Sequence, residues 1–405
     1  MKAILVICDG LGDRPIKELG GKTPLEAGKK PNLDRLAKEG ICGVMHTLGV
    51  GIRPGSDTSH LAIFGYDPKD YYHGRGPFEA AGIGMDLKPG DVALRGNMGT
   101  VDGSLMVTDR RAGRIPDTTP YAKALDGIVI DGVRFYVKPG TGHRVGVVMK
   151  GKGLSSRISD PDPHEVGVKI HPAIALDGSR EAKFTANVLN KFLEKSHEIL
   201  KDLKENEQRI KEGNPPGNYV LMRGAGYVAD IPSFEKRYGL KAACVAGAGL
   251  YKGVARMLGM DVIKVEGATG LPDTNVESKF RMAKNALKQY DFIFVHVKAA
   301  DSLGEDGNFK GKKEFIEKID KAAKVLLGIQ DTFVIVTADH TTPCALKAHS
   351  GDPVPVLING PGVRVDDVKE FGERNCAKGG LGHIKGLELM PELINLMGKA
   401  ALVGA

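Results

Sequence analysis

At 405 residues the chain is too long for one ordinary hydrophobic core and fits two domains. An apolar share of 41% and a charged share of 26% describe a folded globular protein and exclude an intrinsically disordered one. A net charge of +7 suits an anionic substrate, yet no basic tract interleaved with aromatics points to nucleic acid. No apolar run reaches the roughly 18 residues a membrane span requires, so no membrane partner is expected. The five cysteines, Cys8, Cys42, Cys244, Cys344 and Cys376, are odd in number and show no C-x-x-C spacing, which predicts reduced thiols and a cytoplasmic protein.

In chain order, the apolar run Ala3–Ile7 predicts a first buried strand, closed by Asp9-Gly10-Leu11-Gly12-Asp13 with no small-residue cleavage site that would make it a signal. Pro31-Asn32-Leu33-Asp34-Arg35-Leu36-Ala37 predicts a helix stopped at Gly40, and residues 43–47 a second strand. The segment Arg53-Pro54-Gly55-Ser56-Asp57-Thr58-Ser59-His60 places a hydroxyl at the start of a helix. Free N–H groups and the helix dipole favour a phosphate there, although a plain N-cap serine is also compatible with that window.

From about residue 79 the texture changes to short strands and turns, through 92–176, and then to a long amphipathic helix over about 179–212. Gly213-Asn214-Pro215-Pro216-Gly217 reads as a linker, so residues 79–215 are expected to form an inserted α+β domain. Alternating strand and helix patterns then resume with 219–222, 242–246, 252–258 and 262–265, which implies crossover helices and a mostly parallel sheet. The expected fold is therefore α/β, with a core of residues 1–78 and 216–405. Its last strands, Asp291–Val297 and Thr332–Thr337, lead into Asp301 and Glu305 and into Asp339-His340, with His349 nine residues beyond His340.

Ligands gather outside the carboxyl ends of strands in open parallel sheets. Asp9, Ser56, Asp301, Glu305, Asp339, His340 and His349 all fall there or at a helix start. Each alone is compatible with a turn or a satisfied side chain. Together they would repel one another unless cations neutralised them, and mixed oxygen and nitrogen donors suit divalent manganese, magnesium, zinc or cobalt. Two such ions about 3.5–4 Å apart are a common clamp for phosphoryl displacement, and a metal activates a weak hydroxyl nucleophile without a histidine base beside it.

These motifs resemble the alkaline phosphatase superfamily, and within it the archaeal-type cofactor-independent phosphoglycerate mutases. The likeness rests on Asp9-Gly10, Pro31–Leu36, Gly55–His60, Asp109-Arg110-Arg111-Ala112-Gly113-Arg114, His296-Val297-Lys298, Thr337–His340 and His349 before Pro353-Val354-Pro355, spanning almost the whole chain. The resemblance implies an alkaline-phosphatase-like sheet flanked by helices, with a smaller inserted domain. It implies that Ser56 is transiently phosphorylated, that Asp9, Ser56, Asp339 and His340 surround one metal, and that Asp301, Glu305 and His349 hold another. Relatives usually carry histidine where this chain has Glu305, and an oxygen-richer site favours Mn²⁺ or Mg²⁺ over Zn²⁺ or Co²⁺.

In the insert, Asn97, Asp109, Arg110, Arg111, His143, Arg144 and His164 are implied substrate contacts, with Arg223 added from the returning core. Asp160 is the expected acid–base, His143 and His164 being alternatives, and Lys252 the expected lysine on the phosphoryl oxygens. The implied reaction converts 3-phosphoglycerate to 2-phosphoglycerate without added 2,3-bisphosphoglycerate, glycerate being retained by domain closure. A metal-dependent phosphatase or other phosphomutase of the same fold, and a non-catalytic phosphoanion-binding relative, are the alternatives. The sequence leaves a homo-oligomer open.

Overall fold

The computed structural model describes residues 1–404, which divide into two compact units: residues 1–71 with 231–404, and residues 72–230. In chain order the first unit begins with β1 (Lys2–Cys8) and β2 (Ile41–His46). The second unit contains β3 (Val92–Val101), β4 (Val107–Asp109), β5 (Val129–Ile130), β6 (Val133–Pro139), β7 (Arg144–Lys150) and β8 (Tyr219–Tyr227). On its return to the first unit the chain forms β9 (Ala242–Val245), β10 (Asp261–Val262), β11 (Phe292–Val297), β12 (Thr332–Thr337), β13 (Val354–Asn359) and β14 (Gly382–Lys385).

The first unit is an eight-stranded sheet in the order β10-β9-β11-β1-β12-β13-β2-β14. All neighbours are parallel except those of β13, which runs against both β12 and β2. Its central strands bury every residue of Ala3–Cys8, Phe292–Val297 and Thr332–Thr337, as expected where helices cover both faces. Register aligns the strand ends. Ile7 pairs with His296 on one side and Thr337 on the other, so three strands end level and release Asp9, Lys298 and Asp339 at one edge. Asp301 itself lies one step further, in the helix Ala299–Glu305.

The second unit is an antiparallel sheet built around β3, which pairs β4, β7 and β8. The helix Arg180–Lys201 packs its Val188, Leu189, Phe192 and Leu193 into the core, where Phe192 stacks on Phe135 with centroids 3.9 Å apart and planes 5° from parallel.

The boundaries differ from those expected: the second unit starts seven residues earlier than 79 and runs fifteen residues past 215. The strand at 219–222 belongs to this antiparallel sheet rather than to the parallel core, and Arg223 moves with it. Tyr219–Met222 are all buried although the strand has β3 as its neighbour, so they show the same continuous apolar run whichever way that neighbour points. The predicted linker is equally internal, for Thr100 donates to the Pro216 carbonyl at 2.7 Å and Asn206 accepts the Gly217 N–H at 2.7 Å. The long helix also breaks, into Arg180–Lys201 and Lys204–Lys211, because buried Asn206 bonds the Leu200 and Gly217 carbonyls and accepts Tyr121.

Phe192→Ala removes half of the ring stack and is expected to cost the second unit about 3–5 kcal/mol. Hydrogen exchange checks this: protection should fall across β6 and β7 and stay unchanged in β1 and β12, whereas a uniform loss would contradict independent cores.

Candidate metal centre and anion site

The centre starts from the short loops that follow β1 and β12. Gly10 has φ +64°, and a Cβ there would lie 2.6 Å from the Asp301 Cα, so glycine alone lets the β1 loop pass this closely. Its N–H donates to Asp339 Oδ1 at 3.2 Å. Ser56 opens the helix Ser56–Ile63 directly after an extended Gly55, with its hydroxyl free of capping duty and 3.2 Å from His340 Nε2. That nitrogen is also 3.3 Å from Asp9 Oδ1 and 3.3 Å from Asp339 Oδ2. Asp9, Asp339 and His340 are each at most 1% exposed.

A second group adjoins the first. His349 Nε2 lies 3.4 Å from Asp301 Oδ1, and its ring stacks on His340 at 3.6 Å. Glu305 stands at its rim, 3.9 Å from His349 Nε2, with its side chain about half exposed. All seven residues expected at the centre therefore come together, Glu305 most loosely.

Electrostatics make the group a cation receptor. Burial pushes the Asp9 carboxyl up, but the Lys298 charge and contacts from His296 and His340 hold it well below the usual range. Asp339 is driven the other way, to about 6, by burial and by the Asp9 charge. His340 is raised to about 9 because Asp339 and Asp9 outweigh burial. Asp9 Oδ1 and Asp339 Oδ2 are buried oxygens that accept no hydrogen bond. Buried, unpartnered carboxylate oxygens facing imidazole nitrogens are the donor set a divalent cation requires. Asp9, Asp339 and His340 form one three-ligand group, and Asp301, His340 and His349 another, each with ligand atoms within 4.8 Å of one another.

Several participants were not nominated from the sequence. Lys298, rather than Lys252, is the lysine on these carboxylates, 2.8 Å from Asp301 Oδ2 and 3.4 Å from Asp9 Oδ2. Lys252 is only half-buried, and its charge is felt at Cys244 and Lys279 instead. His296 Nε2 is 3.2 Å from Asp9 Oδ2, and Tyr251 stacks on the His296 ring at 3.3 Å while donating to the same oxygen. His60, one turn after Ser56, bonds the Ser56 carbonyl through Nδ1 at 2.6 Å, and burial pushes both His60 and His296 down to about 4. The signal for Lys298 was the buried strand ending just before it; nothing marked Tyr251.

The second unit carries a cluster of its own. Asp162, 1% exposed and not nominated, receives Arg110 at 2.6 Å and Arg223 at 3.2 Å. Asp160 accepts the Gly224 N–H at 2.8 Å and lies 3.5 Å from His164 Nε2, whose backbone is left-handed at φ +64°. Burial and the charges of Arg144, Arg111 and Arg223 push His143 down to about 4, the signature of a site rich in positive charge. Arg95, also not nominated, adds to it, its own pKa lowered by burial and by Arg75 and Arg144. Asn97 is buried on β3, paired in register with Arg144 and Leu221. Asp109 is committed to its turn, accepting Arg111 N–H at 2.7 Å and Gly113 N–H at 3.0 Å.

The Metalloenzyme superfamily model matches residues 1–396. Over 409 aligned positions the chain is 50% identical to the 2,3-bisphosphoglycerate-independent phosphoglycerate mutase 1 of Methanocaldococcus jannaschii, covering 100% of this chain and 99% of that one. The chain belongs to this mutase family. It is also 50% identical to the mutase of Methanosphaera stadtmanae, with 100% of both chains covered. The solved cofactor-independent phosphoglycerate mutase of Thermoplasma acidophilum, 40% identical, superposes with a TM-score of 0.77 over 98% of this chain and 100% of its own. A solved protein of Pyrococcus horikoshii, 39% identical, gives 0.86 over 100% and 99%. Membership in the mutase family upholds the resemblance read from the motifs, and with it the alkaline-phosphatase-like architecture and the use of divalent metal.

Because only the folded chain assembles these ligands, chelation should lower the thermal midpoint and Mn²⁺ or Mg²⁺ should restore it. Ion at 100 times its Kd is worth about 2.7 kcal/mol. A midpoint unmoved by EDTA, measured by calorimetry, would contradict the centre.

Proposed function

We propose that the chain interconverts 3-phosphoglycerate and 2-phosphoglycerate through a phosphoserine at Ser56. The observation that carries this is the Ser56 hydroxyl, set at a helix start and 3.2 Å from His340 within the carboxylate–imidazole group. Asp9, Ser56, Asp339 and His340 would hold one divalent ion, and Asp301, His349 and Glu305 a second. Bound there, such ions supply Lewis-acid stabilisation and lower the pKa of the hydroxyl.

Ser56 gives up its hydroxyl proton as Oγ attacks the phosphorus of 3-phosphoglycerate; the Oγ–P bond forms as the bond to the 3-oxygen breaks, and that oxygen takes a proton in exchange. The Lys298 ammonium, held by Asp9 and Asp301, is placed to stabilise the equatorial phosphoryl oxygens. The arginine cluster of the second unit, Arg110, Arg111, Arg144 and Arg223, with Asn97 and His143 beside them, suits a carboxylate or phosphate group. Asp160 and His164, 3.5 Å apart, are the proposed proton store. The 2-hydroxyl then gives up its proton as it attacks the phosphoserine, Ser56 Oγ leaves, and 2-phosphoglycerate forms.

Glu305 in place of an imidazole hardens the second donor set, which supports Mn²⁺ or Mg²⁺ as the working ion. Five buried cysteines without a disulfide among the described residues support a reducing, cytoplasmic setting.

Ser56→Ala should abolish interconversion, followed as 2-phosphoglycerate formed from 3-phosphoglycerate, while leaving the circular dichroism spectrum intact. More than about 1% residual rate would contradict the phosphoserine route. Release of free phosphate in place of 2-phosphoglycerate by the wild type would make it a phosphatase instead. Glu305→His should shift the activating ion toward Zn²⁺ or Co²⁺, measured as the ratio of ion concentrations giving half-maximal rate.

A further inference from the structure

We propose that Thr342 is a positioning residue whose hydroxyl couples the two ligand groups to each other. The inference rests on the metal-binding reading of those groups. Thr342 is completely buried, two residues beyond His340. Its Oγ1 lies 3.0 Å from His340 Nδ1 and donates to Asp301 Oδ1 at 2.9 Å. A hydroxyl has one hydrogen, and a carboxylate can only accept. With that hydrogen directed to Asp301, only lone pairs face the imidazole, so His340 Nδ1 must carry the N–H. In the neutral ring, Nε2 is then the lone-pair nitrogen, directed at Asp9, Asp339 and Ser56. Two hydrogen bonds in series thus join His340, which the two groups share, to Asp301 of the second.

The backbone that carries the hydroxyl is held on both sides. Lys312, also completely buried, donates to the Thr342 carbonyl at 2.9 Å, the Gly12 carbonyl at 2.8 Å and Asp13 Oδ2 at 2.9 Å. The Thr342 N–H donates to the same Gly12 carbonyl at 3.1 Å. A Cβ at Gly10 would lie 2.7 Å from Thr342 Oγ1, and one at Gly304 2.5 Å from the Thr342 carbonyl oxygen. Three ligand-bearing segments, after β1, β11 and β12, therefore close on this one side chain. A cation that fixes Asp9, Asp339 and His340 also fixes Asp301 through Thr342, and the reverse holds equally by linkage.

The test is calorimetric titration of the chelator-stripped full chain with Mn²⁺, for the wild type, Thr342→Val and Thr342→Ser. The wild type should take up Mn²⁺ with positive cooperativity. Thr342→Val, isosteric but without the hydroxyl, should bind about tenfold more weakly and without cooperativity. Thr342→Ser should titrate like the wild type. A Thr342→Val titration equal to that of the wild type would overturn the proposal, as would a Thr342→Ser loss as large as that of Thr342→Val, which would trace the effect to the methyl group. Nitrogen-15 shifts of His340 in the Mg²⁺-loaded wild type test the same point without a variant: Nδ1–H is expected, and Nε2–H would overturn it. A wild type that takes up no Mn²⁺ refutes the metal centre itself, and the coupling with it.

Discussion

The structure depends on a conflict: the parallel sheet delivers carboxylates to one buried edge, where they cannot all stay ionised unless a positive charge joins them. Asp9 and Asp339 show it directly, one held far below the carboxylate range and the other pushed up to about 6 by its neighbour. Lys298, paired with Asp9 and Asp301, supplies part of the compensation from within the chain. Divalent cations held at this edge would supply the rest, and the same positive charge would lower the pKa of the nearby Ser56 hydroxyl.

Precision at this edge comes from backbone packing rather than from the ligands. Three strands end level because the register of β1 with β11 and β12 fixes them. The loops beyond cross at Gly10 with no space for a side chain, and the buried Lys312–Asp13 pair ties the β1 loop to the segment after His340. A buried ion pair of this kind adds little stability by itself, but it specifies one arrangement of the loops it joins. The arginine cluster of the second unit solves the opposite problem, since buried Asp162 tempers Arg110 and Arg223 while leaving net positive charge for an anion.

Much of the core was legible from the chain alone, because continuous apolar runs that stop at Asp9 or at Asp339-His340 carry both the strand and its site. The family motifs added the pairing of Ser56 with those acids, which no local pattern contains. Other features were hidden for physical reasons. The strand expected at 219–222 looked like a core strand since the burial of all four residues erases the difference between parallel and antiparallel neighbours. The helix break before residue 204 depends on Asn206 reaching Leu200 and Gly217, a tertiary contact. Lys298 and Tyr251 were not nominated because only the fold shows that the end of β11 and the helix Gly249–Met257 bring them to Asp9. No local pattern marks Arg95 or Asp162; the pairing of β3 with β8 sets Arg95 opposite Arg223, and Asp162 meets Arg110 and Arg223 only in the folded unit.

The clustered acids and imidazoles are proposed to hold divalent cations beside Ser56. Diffraction from crystals grown with Mn²⁺, collected at the manganese edge, tests it most directly. Two anomalous peaks are predicted, one among Asp9, Ser56, Asp339 and His340 and one beside Asp301 and His349. Peaks confined to other parts of the surface, or none in this cluster at saturating Mn²⁺, would contradict it.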